Sequence, residues 1–548
     1  MAFYTIRLNL GAASFPLLTE LGGRTIIVPG QDEHYDRAVV QTTADSEKDK
    51  GTPQAYYMEN VVPSIQGLQS VGYDQLVVSN YHDVTDFGSI YTINTSNLGR
   101  ILLSPSGGRN YILDRTVGVG LWNTNSIFPP GSVTEDVQVT VAQLRGETYI
   151  YYANYGMFRY DITTKLLTAV PLTGIVEEDI VAICESNGYL VAVTRTAIGW
   201  SSLTDPTDFV PSLVTGAGGG NLNEAQGAIR AVFTMAGGFA IYCENNIVSA
   251  RISSNIQFPF IFTQIPASGG NSNVDQVSWE SSIADQFAWT TVGLQQVSST
   301  IAKMLLPEFT DFIAGKKIET FDLATNTFTT VSLDTTMQVA LHIIGLRYLV
   351  LSYGANFPDY DYAIIYDLVL KRSGKLKIQH RDCIEWNYPA PYGDLTYDDL
   401  LTLTYDGLGT TTYDSLGIGT RLDPIVKDTM AFVQRNGDIY KVNFAYNQPA
   451  AAGVLLLGKF QFIRNQFITF LRAEFETVQD SYNNFKHEII PTLDGKTMLA
   501  PYNTFPVLVA PAMRAFQGKI TGQNYSHLIT GSFNLVSAET RFTLAGTR

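Results

Sequence analysis

A chain of 548 residues, 45% hydrophobic and 16% charged, is long enough to bury several cores and too apolar to remain disordered. Its formal net charge of −15 argues against gripping nucleic acid tightly through phosphates, which calls for basic patches. The longest apolar candidate, Ala340 to Tyr353, is interrupted by His342 and Arg347, so no membrane insertion is expected.

The N-terminal stretch MAFYTIRLNLGAASFPLLTE lacks a clean apolar segment of signal-peptide type. Residues 1–70 read as an extended arm, punctuated by Gly22-Gly23, Pro29-Gly30 and a polar run from Gln41 to Pro53. Pro63 and Gly67 suggest a bend leading into a strand at Tyr73 to Val78.

From about residue 71 to 450 one unit recurs: an approach strand, a turn, then a strongly apolar second strand. The second strands are GETYIYY (146–152), NGYLVAV (187–193), GGFAIYC (237–243), DQFAWTT (285–291) and LRYLVLS (346–352). They are apolar at nearly every position, as expected of strands covered on both faces. Four strands per unit at this spacing is what a β-propeller blade needs. Tight turns at Asn187-Gly188, Asp205-Pro206, Gly237-Gly238 and Asn245-Asn246 separate strands in the clearest stretch, Gly188 to Pro266. An earlier unit around 88–93 and 109–122 and a late hairpin at 428–444 bring the expectation to five or six blades. The fold class expected is all-β, a propeller with inserted loops and a small C-terminal β-sandwich-like domain over 451–548.

Two segments exceed what a blade requires. Residues 298–335 contain LPEFTDFIAGKKI, a short helix candidate with Phe309, Phe312 and Ile313 at helical spacing. Residues 392–420 carry Thr396-Tyr397-Asp398-Asp399-Leu400, Thr404-Tyr405-Asp406-Gly407-Leu408 and Thr412-Tyr413-Asp414-Ser415-Leu416, a repeat of period eight. Its aspartates invite calcium, but the D-x-[DN]-x-[DN]-G pattern is absent. A stacked loop packed by Tyr and Leu, open to contacts, fits better.

The chemistry-bearing residues do not assemble into a motif. His34, His82, His342, His380, His487 and His527 are far apart, and only His380 with Cys383 has ligand spacing, with no second pair to complete a zinc site. Cys184, Cys243 and Cys383 lie in apolar runs and read as buried free thiols, consistent with synthesis in a reducing cytoplasm. Gly216-Ala217-Gly218-Gly219-Gly220 lacks the GK[ST] ending of a phosphate cradle and reads as a flexible loop between strands. Lys371, Arg372, Lys375 and Lys377 form the densest basic cluster and read as the exposed face of one hairpin. Ser202-Leu203-Thr204-Asp205-Pro206-Thr207-Asp208-Phe209 resembles the Asp-box turn of sialidase propellers. That turn is structural, and the arginine cluster a sialidase uses to hold a carboxylate does not assemble here. No catalytic, cofactor-binding or metal-ligating residue is assigned, and no enzymatic activity is expected.

WSSLTDPTDFVPSLVTGAG, the following AIRAVF, GGFAIYCENNIVSAR and FPFIFTQI, and the earlier NVVPSIQGLQSVGY together resemble β-propeller tail proteins of short-tailed bacteriophages. These are the nozzle or tail-hub proteins, related in architecture to the packaged-DNA stabilisation proteins. LPEFTDFIAGKKIETF, LVLKRSGKLKIQH and GKITGQNYSHLITGSFNL add to the likeness, which extends over about 56–540. It implies a structural virion protein of the tail that forms a ring of its own copies, typically six. The ring would dock on portal or adaptor and on tail-fibre or tail-tip proteins, and DNA would pass non-specifically through its lumen. An acidic lumen would let DNA slide without trapping it. The alternatives are a receptor-binding adhesin, using the 396–416 repeat or the C-terminal domain, and a glycan-active propeller enzyme with paired carboxylates.

Overall fold

The computed structural model describes residues 3–9, 26–27, 41–42, 55–64, 67–78, 91–95, 99–106, 109–115, 122–127, 139–161, 164, 166–255, 258–271, 277–278, 285–306, 318–322, 327–331, 339–354, 359–385, 430–434, 438–443, 453–461, 466–477, 484–492, 504–505, 513–522 and 524–547. The helix candidate LPEFTDFIAGKKI lies outside them except for its end residues Leu306 and Ile318, and the period-eight repeat lies wholly outside them. Among the described residues every regular element is a strand except one 3-10 turn, Glu177–Asp179.

The strands build an all-β propeller of four-stranded antiparallel units taken in chain order. The first unit is Tyr91–Thr95, Gly99–Ser106, Arg109–Arg115 and Trp122–Ile127. The second is Val139–Leu144, Glu147–Tyr152, Gly156–Asp161 and Leu166–Ala169. The third is Ile180–Ser186, Tyr189–Thr194, Ala197–Trp200 and Gly218–Asn221. The fourth is Ile229–Met235, Gly238–Cys243, Ile247–Ile252 and Phe260–Gln264. The fifth is Val277–Ser278, Gln286–Thr290, Gly293–Val297 and Ala302–Met304. The sixth is Ala340–Ile344, Tyr348–Tyr353, Tyr360–Asp367 and Arg372–His380.

A seventh unit takes Asp382–Glu385, Met430–Val433 and Ile439–Asn443 from late in the chain and its outermost strand, Gly72–Val78, from near the start. The described blades therefore number seven, above the five or six expected. The late hairpin and the early unit both turn out to be parts of complete blades.

The apolar runs picked out in the sequence are the second strands of blades two to six. In Gly238–Cys243 all six residues are buried, because both faces of a blade pack against its neighbours. At about 1.5–3 kcal/mol for each large side chain removed from water, these strands supply much of the driving force. The entry turn of blade three uses left-handed backbone, with Asn187 at φ 55° and Gly188 at φ 85°, so Asn-Gly suits that two-residue hairpin.

Polar staples tie successive blades. Thr140 Oγ1 accepts from the Ile183 amide at 3.1 Å. The fully buried Gln286 donates to the Thr234 carbonyl at 2.7 Å and accepts from Tyr242 Oη at 2.6 Å. His342 Nε2 lies 3.1 Å from Asp382 Oδ1.

The C-terminal residues form two facing sheets, as expected of a sandwich. One contains Met513–Gly522, Gln466–Thr477 and Asn534–Thr547, with Phe3–Asn9 added along the last strand. The other runs Gln41–Thr42, Ile26–Ile27, Gly453–Gln461, Asn524–Ser532, Asn484–Thr492 and Thr504–Phe505, with Ala55–Glu59 also paired to Gly453–Gln461. The described parts of the N-terminal segment are thus extended, and they serve as strands of the C-terminal sheets. Val61–Pro63 and Leu68–Ser70 then bridge the last strand of blade six to Asn534–Thr547, giving one ten-stranded sheet across both regions. The core follows the sheet: Trp289, Leu349 and Leu351 of the blades share a cluster with Leu455, Phe470, Phe475 and Phe542.

Candidate functional site

The basic hairpin differs most from its sequence reading. Arg372 and Lys375 are each only 2% exposed, so half of the supposed charged face is interior. The cause is the bridging segment: Val61 pairs opposite Lys375 and covers that edge of blade six. The Lys375 ammonium lies 4.3 Å from the centre of the Tyr362 ring, a cation–π contact in an apolar setting. Arg372 donates to the Gly67 carbonyl at 3.1 Å and the Ser64 carbonyl at 2.5 Å. Burial lowers its pKa, partly offset by Asp367. Asp367, fully buried, is held by Arg347 at 2.8 Å and accepts from the amides of Val369 and Leu370. Lys377 remains at the surface, 3.6 Å from Glu59. The cluster is therefore a structural tie between propeller and sandwich, and no exposed basic patch arises from it.

The Ser202–Phe209 segment is a turn in the connection between the third and fourth strands of blade three. Ser202 Oγ accepts from the Thr204 amide at 3.1 Å, and Asp205 Oδ1 accepts from the Thr207 amide at 2.9 Å and Thr207 Oγ1 at 2.8 Å. Arg145, on the entry turn of blade two, donates to the carbonyls of Leu203, Thr204 and Gly188. Asp205 is thus committed to backbone and hydroxyl partners within its own turn, as the structural reading expects.

Gly218, Gly219 and Gly220 belong to the outermost strand of blade three, not to a flexible loop. A Cβ on Gly218 would lie 2.9 Å from the Trp200 ring, and one on Gly219 would lie 2.5 Å from the Ile198 carbonyl oxygen. Close packing against the third strand explains Gly218 and Gly219 without a phosphate.

His380 is buried with Nε2 2.8 Å from Ser352 Oγ and Nδ1 2.8 Å from the Ile378 carbonyl. Both nitrogens are engaged within the fold, so the His380/Cys383 spacing does not make a ligand pair. Burial lowers the His380 pKa to about 3. The three cysteines are free and buried, as expected; burial raises all three thiols, Cys243 to about 12.

Sequence spacing gave no warning of one constellation. His487 and His527 meet in the sandwich core, with His487 Nε2 3.0 Å from His527 Nδ1. They are forty residues apart in sequence, and only strand pairing brings them together. Among the described residues no group of three His, Cys, Asp or Glu side chains is placed to hold a metal ion. A small apolar hollow between blades five and six is lined by Trp289, Leu294, Leu306, Leu349, Leu351, Ile364 and Tyr366.

No protein-family model matches the chain, and no curated protein matches it. Among solved structures it is similar to the extracellular domain of BT4673 from B. thetaiotaomicron, with a TM-score of 0.40 and 8% sequence identity. The likeness covers 91% of this chain and 64% of that one, so the chain spans less than two thirds of that protein's length.

Proposed function

We propose that the chain is a structural protein of a phage tail, one subunit of a ring of six that conducts or retains DNA and docks neighbouring tail components. The sequence resemblance to tail nozzle proteins motivates the reading. The observation that carries it is the ten-stranded sheet that runs without a break from blade six into the sandwich. Two globular units joined by a linker would hinge. Here a paired sheet, a shared apolar core and the buried Arg372 tie couple them. That construction suits a part that must transmit load between a portal and a tail tip.

The residues beyond blade needs support the same reading. Residues 386–429 depart between the first and second strands of blade seven, and residues 307–338 lie between blades five and six. Segments of that length on a rigid scaffold serve contacts more often than folding. Electron microscopy and mass measurement of the purified full chain test the proposal. A ring of several hundred kilodaltons with an open lumen is the expected result. A stable monomer that binds host cells would replace it with the adhesin reading, and a monomer that cleaves a glycan would replace it with the enzyme.

A further inference from the structure

His487 lies on Asn484–Thr492 and His527 on Asn524–Ser532, paired antiparallel so that His487 faces Ile529 and His527 faces Ile489. The two imidazoles are diagonal neighbours on the inward face of one sheet, with ring centres 5.2 Å apart and planes tilted by 29°. His527 Nε2 reaches across to the other sheet, 3.1 Å from Thr540 Oγ1. Both rings are 0% exposed. Phe475 stands edge-on to His487 at 4.7 Å and to His527 at 6.2 Å, and Phe470 stands against His527 at 5.9 Å.

At the 3.0 Å contact one ring donates and the other accepts, an arrangement that two neutral imidazoles can make. A further proton either sets N–H against N–H there or leaves an imidazolium in an aromatic box. The charged groups that the neighbouring strands show are engaged with partners elsewhere. Lys486 and Glu488 flank His487, so strand alternation puts them on the other face, and they pair with each other at 2.7 Å. On Gln466–Thr477, Arg472 pairs with Glu474, and Glu476 accepts from Ser537 at 2.8 Å. Arg541 follows Thr540 and is exposed, on the outward side of Asn534–Thr547. Gly453–Gln461 contributes Leu457 opposite His527, with Lys459 two positions on; Thr504–Phe505 carries no charged residue.

We propose that the His487–His527 pair, with Thr540, is an acid-sensitive latch that holds the two sheets of the sandwich together while neutral and keeps them from closing once protonated. Burial, and for His487 the neighbouring imidazole, holds both rings well below the ordinary histidine range. The sheets must therefore open for the rings to take up protons.

Hydrogen exchange on the full chain from pH 7.5 to 4.5, corrected for the intrinsic rate, tests this. Blade strands Tyr189–Thr194 and Gly238–Cys243, which contain no histidine, serve as the internal reference. Opening of Asn484–Thr492 and Asn524–Ser532 relative to that reference should rise about thirtyfold by pH 5 for one ring of ordinary unfolded pKa. In the double variant His487→Gln, His527→Asn the rise should vanish. An equal rise in the variant, or none in the wild type, overturns the proposal. If the variant does not fold, ring NMR signals of the wild type decide. Both imidazoles staying neutral until the sandwich opens supports the latch, and gradual titration near pH 6.5 in a closed sandwich refutes it.

Discussion

Replacing Arg372 with Met tests whether the propeller and the sandwich are one mechanical unit. The guanidinium is 2% exposed and donates to two carbonyls of the Ser64–Gly67 turn, at 3.1 and 2.5 Å. That turn also has the Ser64 amide bonded to the Gly67 carbonyl and Ser64 Oγ bonded to Asn534 Oδ1 on the sandwich strand. A hydrogen bond to a charged donor contributes about 1.5–3 kcal/mol, and a buried carbonyl left without a donor costs about 1–3 kcal/mol. Against this, Met removes the cost of keeping a cation in the interior, which often offsets much of such a pair. The Gly67 carbonyl keeps its turn bond, so the net loss is about 2–4 kcal/mol. Arg372→Lys, reaching one carbonyl, should lose about half as much. Lys371→Met, one residue away and exposed, should stay within about 0.5 kcal/mol of wild type. Urea unfolding at pH 7.5 gives the magnitudes. Hydrogen exchange should place the loss at Val61–Pro63, Leu68–Ser70 and Asn534–Leu535. A fall indistinguishable from that of Lys371→Met would refute the tie.

Three further outcomes are expected. Gly219→Ala should cost about 1–3 kcal/mol by overpacking against the Ile198 carbonyl, whereas Gly220→Ala, with open space at its Cβ, should be nearly neutral by thermal melt; phosphate should protect neither. The thiols of Cys184, Cys243 and Cys383 should stay unreactive to a disulfide reagent in the native protein and react together only on unfolding. His380, neutral when buried, stabilises fully above its unfolded value near 6.5, and that stability is lost as pH falls toward its folded value of about 3. Unfolding free energies from denaturant titration should therefore be flat above pH 7 and drop below 6.5, by about 1.4 kcal/mol per unit from this residue alone, with His380→Gln removing that share.

The blade pattern was legible because a second strand covered on both faces must be apolar at almost every position, and Glu147–Tyr152 or Tyr348–Tyr353 can hardly be read otherwise. Blade seven was harder. Its first and second strands are separated by residues 386–429, and its fourth strand comes from Gly72–Val78, so no local window contains it. The basic hairpin misled for a related reason. Alternation along Arg372–His380 suggests a solvated face, but a segment three hundred residues upstream covers it. Gly218–Gly220 looked like a loop because glycine is poor in strands; only the Trp200 ring beside Gly218 and the Ile198 carbonyl beside Gly219 explain why glycine is needed at those two positions. The His487–His527 contact depends wholly on strand register, which spacing does not encode.

Two of these exceptions, blade seven and the basic hairpin, share the N-terminal segment. Phe3–Asn9 and Ala55–Glu59 complete the sandwich sheets, Val61–Pro63 and Leu68–Ser70 bridge to blade six, and Gly72–Val78 finishes blade seven. The pairings join residues more than three hundred positions apart, so neither the sandwich nor the last blade can close until the chain ends meet. Contacts of such separation slow folding. They also set the outcome of truncation. Removing residues 1–59 should leave the strands of all seven blades intact while exposing the edges of Asn534–Thr547 and Gly453–Gln461. The variant should keep blade-strand exchange protection but lose it throughout the sandwich and aggregate through the bared edges. Removing residues 1–78 should in addition open blade seven, seen as lost protection in Met430–Val433 and Ile439–Asn443. If the first truncation left sandwich protection unchanged, residues 1–59 would be a dispensable arm after all, and coupling between the two units would rest on the bridge at Val61–Pro63 and Leu68–Ser70.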